Sequence, residues 1–352
     1  MSPACARSMA LILSLFALQS CAENTNLTQP ETEGEHTRAT PSFAVASNTW
    51  TEKAPIPGGS PRFGISAAHF PNSAGQSLVY VFGGTDDEGG TPFGIAVYNA
   101  ATNSWGGAPG GPFSVSVYQT NGVGAIGTRL YFSGGYNSVD GGVQNFTNRT
   151  WAYDVVAGQL IRRADMPKFT AEGVTGVLDG KLYVLPGQCS ADRWPLPGYC
   201  ETEDIRTLFR YNPATNSWAT RRSAPHFHSG GAAGVIDGKF YVAGGVRNFG
   251  NQAVSDLDVY DPATNTWKTL APMPKGGRAI GTVLDGKLFV VSGLDAYVYN
   301  PRTDKWSTIA DPARGHDAVV RVRIDGNPHL LAVGGNHGPG QDIPNASELY
   351  TP

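Results

Sequence analysis

Lys239-Phe240-Tyr241-Val242-Ala243-Gly244-Gly245 is followed along the chain by Tyr260-Asp261-Pro262-Ala263-Thr264-Asn265-Thr266-Trp267. The first stretch is a short run of Phe, Tyr and Val that ends on paired glycines. It reads as a buried strand whose exit needs positive φ and close backbone approach. In the second stretch Asp-Pro starts a tight turn, because Pro fixes φ and Asp bonds to nearby backbone. Tyr260 and Trp267 then fall on adjacent antiparallel strands and supply a large buried aromatic area.

Both stretches recur. The glycine-ended strand returns at Leu78–Gly84, Leu130–Gly135 and Leu330–Gly335, and in worn form at Leu182–Gly187 and Leu288–Gly293. The turn motif returns at Tyr98–Trp105, Tyr211–Trp218 and Tyr299–Trp306. Its second copy, Tyr153–Leu160, is degenerate, with Leu160 in place of Trp. Ahead of each glycine pair lies a strand of small residues, as in Gly173-Val-Thr-Gly-Val177 and Gly231-Ala-Ala-Gly-Val235. Small side chains suit strands crowded around an axis. Four short strands in each repeat of about fifty residues match a propeller blade.

Gly-Gly followed by Tyr-Asn/Asp-Pro-x-Thr-x-x-Trp resembles the Kelch family of β-propellers over residues 46–352. The resemblance implies an all-β, six-bladed Kelch-type β-propeller closed by an N-terminal strand. The chain ends at Tyr350-Thr351-Pro352, the first part of the motif, and the missing half stands at Asn48-Thr49-Trp50. The early segment is therefore expected to supply the outer strand of the last blade, leaving no open edge.

Composition agrees. The chain holds 45 Gly and 25 Pro, and charged residues make up 16%, against a usual value of about 25%. That profile excludes a helical bundle, a coiled coil and a disordered chain. Lys and Arg total 26 against 29 Asp and Glu, so there is no basic excess to displace counterions from nucleic acid.

Residues 1–20 read as a signal peptide of lipoprotein type. Arg7 precedes an apolar run, Met9–Leu18, too short to span a bilayer. Leu18-Gln19-Ser20-Cys21 resembles a lipobox, which would make Cys21 the lipidated residue; ordinary secretory cleavage nearby is the alternative. Residues 21–45 read as a flexible acidic tether. Either route places the body outside the cytoplasm, and lipidation makes it cell-envelope, with the membrane reached only through the lipid. Cys189 and Cys200 then flank one loop in an oxidising compartment, where a disulfide is expected.

The inter-blade loops and the loops after the glycine pairs rise on one face, where function is expected. Aligned on their Asp-Gly turns, Glu172 and Arg278 share one blade position, and His228 and His316 share another. With Arg62, Arg247, Arg314 and Trp194 they make the candidate ligand-binding set ringing the channel mouth. Rich in Arg and His, this ring suits an anionic or polyhydroxylated ligand, with Trp194 stacking on a sugar face. The competing reading makes Arg and His parts of a structural framework that caps neighbouring loops. His226-x-His228 has no identifiable third ligand, so no metal is expected, and no cofactor motif is present.

The expected function is an exported, monomeric recognition module for a glycan, sugar acid or protein partner, as Kelch propellers are mostly binding platforms. The alternative is a sugar-acid mutarotase, since size, export and blade number resemble N-acetylneuraminate epimerase. Glu172 with Arg278 would then serve as acid/base and carboxylate anchor. The family's Gly-Glu followed by a nearby Arg is missing from any matching blade.

Overall fold

The computed structural model describes residues 47–57, 62–85, 94–111, 117–139, 143–188, 206–247, 252–335 and 345–352. Cys21, Cys189, Trp194 and Cys200 lie outside them, so the lipidation, disulfide and stacking expectations fall on undescribed residues. Residues 45–352 group as one compact unit.

Six four-stranded antiparallel sheets form the blades. The first comprises Phe63–Pro71, Ser77–Thr85, Ala96–Asn99 and Ser104–Gly107. The second comprises Val123–Ile126, Arg129–Ser133, Thr150–Asp154 and Gln159–Arg163. The third comprises Val174–Leu178, Lys181–Leu185, Phe209–Asn212 and Ser217–Thr220. The fourth holds Ala232–Ile236, Lys239–Ala243, Leu257–Asp261 and Thr266–Leu270. The fifth holds Ile280–Leu284, Lys287–Ser292, Asp295–Asn300 and Lys305–Thr308. The sixth joins Ala318–Ile324, Asn327–Val333 and Ser347–Thr351 to the early strand Thr49–Lys53. That strand pairs with Ser347–Thr351 in the register Trp50↔Tyr350, so the expected closure is present.

The first strands pack side by side around the axis, and the sixth blade's packs against the first blade's. Apolar packing falls into six wedges, each shared by two neighbouring blades. Strand Lys239–Ala243 shows why its run is continuously apolar. Phe240 and Val242 enter the wedge with the third blade, while Tyr241 and Ala243 enter the wedge with the fifth. Both faces are buried, so hydrophobic alternation disappears. The small-residue first strands serve the same contact: a Cβ on Gly176 would stand 2.5 Å from the Phe240 ring.

The Tyr…Asn…Trp motif is a three-point clamp. In the fourth blade Asn265 Oδ1 accepts from Tyr260 Oη at 2.8 Å and from the Arg222 N–H at 3.1 Å. The Trp267 indole N–H donates to Arg222 O at 2.8 Å. Arg222 belongs to the linker arriving from the third blade, so the clamp ties one blade's rim to its neighbour. The same geometry holds Ala54, Ala164 and Ala271. At the closure, Asn48 and Trp50 hold Ala310, and Tyr350 Oη donates to Asn48. The clamp Asn or Asp is left-handed each time, with φ between 49° and 57°. The degenerate second blade puts Gly158 there, at φ 64°, and Tyr153 Oη reaches Pro109 O directly at 2.9 Å.

Candidate functional site

At the mouth of the axis a second ring of bonds links successive blades through backbone. Gly64 O accepts the Gln119 N–H at 2.6 Å, and Gln119 O accepts the Glu172 N–H at 2.9 Å. Glu172 O accepts the Gly230 N–H at 2.7 Å, and Gly230 O accepts the Ala279 N–H at 2.8 Å. Asp317 Oδ2 accepts the Gly64 N–H at 2.9 Å, joining the sixth blade to the first. Gly64, Gln119, Glu172 and Gly230 are all left-handed, with φ from 48° to 68°. For Gln119 and Glu172 that conformation costs about 1–2 kcal/mol each. Strain held in place by neighbouring blades at a cavity wall points to a functional position.

The cavity these residues surround is open and about 910 Å³ in volume. Glu172 and Arg278 face each other on its wall. Arg278 Nη1 donates to Glu172 Oε2 at 2.6 Å, and Ser229 Oγ approaches the same oxygen at 3.4 Å. The carboxylate is 7% exposed and the guanidinium-bearing side chain 49%. The two come from the third and fifth blades, so the arginine crosses the fourth. Gly230 makes that possible: a Cβ there would lie 2.9 Å from Arg278 Nη1. Counted back from its hairpin Arg278 matches Glu172, as the alignment expects. The inter-blade backbone bond at that blade is nevertheless made by Ala279.

Of the remaining members of the predicted ring, His316 is among the residues that line the cavity and the other described members are elsewhere. His228 is a correction: its side chain is wholly enclosed, with Nδ1 2.8 Å from Gly244 O and Nε2 3.1 Å from Asp258 Oδ2. His316 stands in the cavity lining as expected, but its ring is held by other groups. Its ring is also enclosed, with Nδ1 3.1 Å from Gly334 O and Nε2 2.7 Å from Glu348 Oε2. Both imidazoles bracket an inter-blade loop to a buried acid on their own blade's third strand, and His228 is not among the residues that line the cavity. Asp258 also accepts from His226 and Thr269. Burial opposes its ionisation, but the bond and charge of His228, the Thr269 hydroxyl and the charge of His226 hold its carboxyl below the usual range. Glu348 is held low in the same way by His316 and backbone N–H groups.

Arg314 leans on Glu52 of the closing strand, 3.8 Å away, and does not line the cavity. Arg62 is half-buried beside the first blade, its backbone N–H on Asn345 Oδ1 at 2.7 Å, and burial lowers its pKa. Arg247 is exposed on a two-residue ribbon strand, Val246–Arg247, paired with Gln252–Ala253. Neither lines the cavity. The expected excess of cations at the mouth is therefore absent among the described residues. The acidic and basic residues lining it are Glu172, Asp317, Arg278 and His316. Sequence reasoning missed Gln119 and Asp317. The signal for the first is a position, since Gln119 precedes its small-residue strand as Glu172 precedes its own. Among the described residues no group of three or more His, Cys, Asp and Glu side chains is placed to hold a metal ion.

Comparison with known proteins gives a consistent family. The Kelch motif matches residues 228–274. Kelch-like protein 38 of Homo sapiens is 27% identical over 183 residues, covering 51% of this chain and 26% of its own length. Kelch-like protein terF of Aspergillus terreus is 26% identical over 263 residues, 69% of this chain and 55% of that protein. Alpha-scruin of Limulus polyphemus is 27% identical over 192 residues, 52% of this chain and 19% of its own. The chain thus spans between about a fifth and about half of these relatives. Among solved structures, that of YjhT superposes with a TM-score of 0.60 at 17% identity, covering 82% of this chain and 93% of that one, a likeness of fold.

Proposed function

We propose, on the premise that the chain is a Kelch-repeat β-propeller, that it is a binding module exported to the cell envelope, where its loop face recognises a glycan, a sugar acid or a protein partner. The Kelch propeller by itself suggests an interaction module. The observation that carries the finer reading is the Glu172–Arg278 pair on the wall of an open cavity of about 910 Å³. Binding sites of small molecules are concave, of several hundred Å³, and carry a few placed polar groups in mostly apolar walls. Export rests on the run after Arg7, and Cys21 would carry the lipid that holds a monomeric ring at the membrane surface.

A second reading is a sugar-acid mutarotase. The same pair favours it, because a carboxylate beside a guanidinium supplies a proton carrier next to an anchor. Both readings are tested on the full chain by glycan-array and sugar-acid binding, followed by proton exchange spectroscopy of each hit. Saturable binding lost in Arg278→Ala, without faster anomer exchange, supports the module. Faster exchange lost in Glu172→Gln supports the mutarotase. Binding indifferent to both substitutions removes the channel mouth as the site.

A further inference from the structure

We infer, resting on the glycan reading of the channel mouth, that the site holds the end ring of a linear oligosaccharide, gripped at Gln119, while the rest of the chain leaves across the fifth blade over Leu294. The fifth blade differs from the others in one length. Its second and third strands, Lys287–Ser292 and Asp295–Asn300, are joined by Gly293 and Leu294 alone. In every other blade that connection is at least ten residues long: 86–95, 134–149, 186–208, 244–256 and 334–346. Described parts of two of them form ribbons, Tyr136–Val139 with Val143–Phe146 and Val246–Arg247 with Gln252–Ala253. Gly293 and Leu294 themselves line the cavity. The fifth blade thus brings the least chain to the mouth, and a long ligand has its way out there.

Gln119 stands on the opposite wall. Successive first strands pack around the axis, which puts the second blade three places from the fifth in a ring of six. Gln119 lines the cavity in a left-handed conformation, φ 48°, and its side chain lies over the bare Gly64, where a Cβ would meet Gln119 Cγ at 2.6 Å. Its amide makes no side-chain hydrogen bond among the described residues. An amide both donates and accepts, as two neighbouring sugar hydroxyls do. The chemistry of the wall continues this theme. Every hydroxyl and amide side chain among the described lining residues comes from the first three blades: Ser66, Thr85, Gln119, Thr120 and Thr175. Ser66 Oγ and Thr120 Oγ1 bond to each other at 2.7 Å, which uses one of their two protons. The last three blades bring no such group; besides Arg278, His316 and Asp317 their described lining residues are aliphatic or glycine.

A pyranose has a hydroxyl edge and a C–H face. The edge suits the first three blades and the face suits the aliphatic side, where burial removes apolar surface from water. Of the three large apolar side chains exposed among the described residues, Val156, Phe169 and Leu294, only Leu294 lines the cavity, and it is 53% exposed. At about 910 Å³ the cavity lies toward the upper end of sites that enclose drug-sized molecules, so it has room for more than one ring. An extended peptide leaving the same way would need backbone partners. At the exit Ser292 pairs with Asp295, and the Ala296 N–H donates to Asp311 Oδ1 at 3.0 Å, so the turn offers no strand edge.

The test uses cello-, xylo-, chito- and malto-oligosaccharides of one to four rings on the full chain, by calorimetry and ligand-detected NMR. The expected result is a series in which three rings bind at least tenfold more tightly than one. Gln119→Ala should weaken every member of that series several-fold. Leu294→Ser should reduce the gain with length, and Gly-Ser-Gly-Ser inserted between Gly293 and Leu294 should erase it. Melting temperatures within a few degrees of wild type confirm that the variants fold, and Leu294→Ser carries the test if the insertion does not. A gain with length that survives both turn variants overturns the exit over the fifth blade. Binding that ignores length or Gln119→Ala, yet is lost in Arg278→Ala, overturns this inference and leaves the channel-mouth site standing. Binding of no saccharide, or binding indifferent to both Gln119→Ala and Arg278→Ala, overturns it together with the glycan reading of the mouth.

Discussion

Asn265 sits in a left-handed conformation, φ 53°, and its side-chain oxygen accepts from Tyr260 Oη and the Arg222 N–H. Two substitutions separate these roles. Asn265→Gly removes the acceptor and leaves the backbone at ease. Tyr260 is fully buried, and burial pushes its phenol up to about 12, so its hydroxyl has no ready route to water. Stranding a buried hydroxyl costs about 1–3 kcal/mol. The Arg222 N–H is exposed and recovers most of its bond from solvent. Asn265→Gly should therefore cost about 1.5 kcal/mol. Asn265→Ala loses the same acceptor and adds a Cβ in the left-handed region, for about 1–2 kcal/mol more. The assay is guanidinium denaturation at equilibrium, with the midpoint falling in the order wild type, Gly, Ala at unchanged m-value. Equal midpoints for Ala and Gly would refute the strain argument, and a Gly variant as stable as wild type would refute the clamp. The second blade is the natural precedent, since Gly158 already stands there and Tyr153 has found another acceptor.

Removal of residues 47–53 should lower the melting temperature steeply and promote association, because Ser347–Thr351 becomes an unpaired edge; an unchanged, monomeric melt would rule out closure by this strand. Asp258→Asn should cost about 3 kcal/mol near neutral pH, since it leaves the enclosed His228 without its charged partner. The Asp258 carboxyl lies below its unfolded value, so its contribution is complete above that value and is lost as pH falls through the lower folded one. Chemical denaturation at pH 7 and at progressively more acidic pH should show the gap closing. His69 is half-buried near Arg321 and Arg323, and desolvation followed by those two charges lowers it to about 4. Its contribution is complete above about 6.5 and is lost as pH falls through 4, with a ceiling of about 3 kcal/mol. Stability measured across that window should be flatter in His69→Gln, and an identical slope would exclude His69 as its source.

The fold was legible because its joints are local. Tyr, Asn and Trp of each clamp lie within eight residues, so one repeat displays the whole device, and even the split copy at Tyr350 and Asn48-Thr49-Trp50 is recoverable. The histidines were misread because their partners are distant. His228 meets Asp258 and His316 meets Glu348 some thirty residues on, across two strands. A trace of this exists in sequence: Asp258 and Glu348 each stand two residues before the clamp tyrosine, in the two blades that carry the histidines. Glu172 and Arg278 were found by counting from the hairpins, but that they touch depends on Gly230 leaving the intervening blade bare. Asp317 gave no signal, because its role is to accept a backbone N–H from a glycine 253 positions away.

The closing joint has a topological consequence. Its clamp binds Ala310 as the others bind Ala54, Ala164, Arg222 and Ala271. Joining Pro352 directly to Ala46 would write Tyr-Thr-Pro-Ala-Ser-Asn-Thr-Trp, the intact motif with its spacing restored. These joints are thus equivalent, and the one split in sequence lies between Tyr350 and Asn48. A circular permutant made with that junction, and opened instead between Pro262 and Ala263, should fold to the same propeller, its split clamp merely moved from the sixth blade to the fourth.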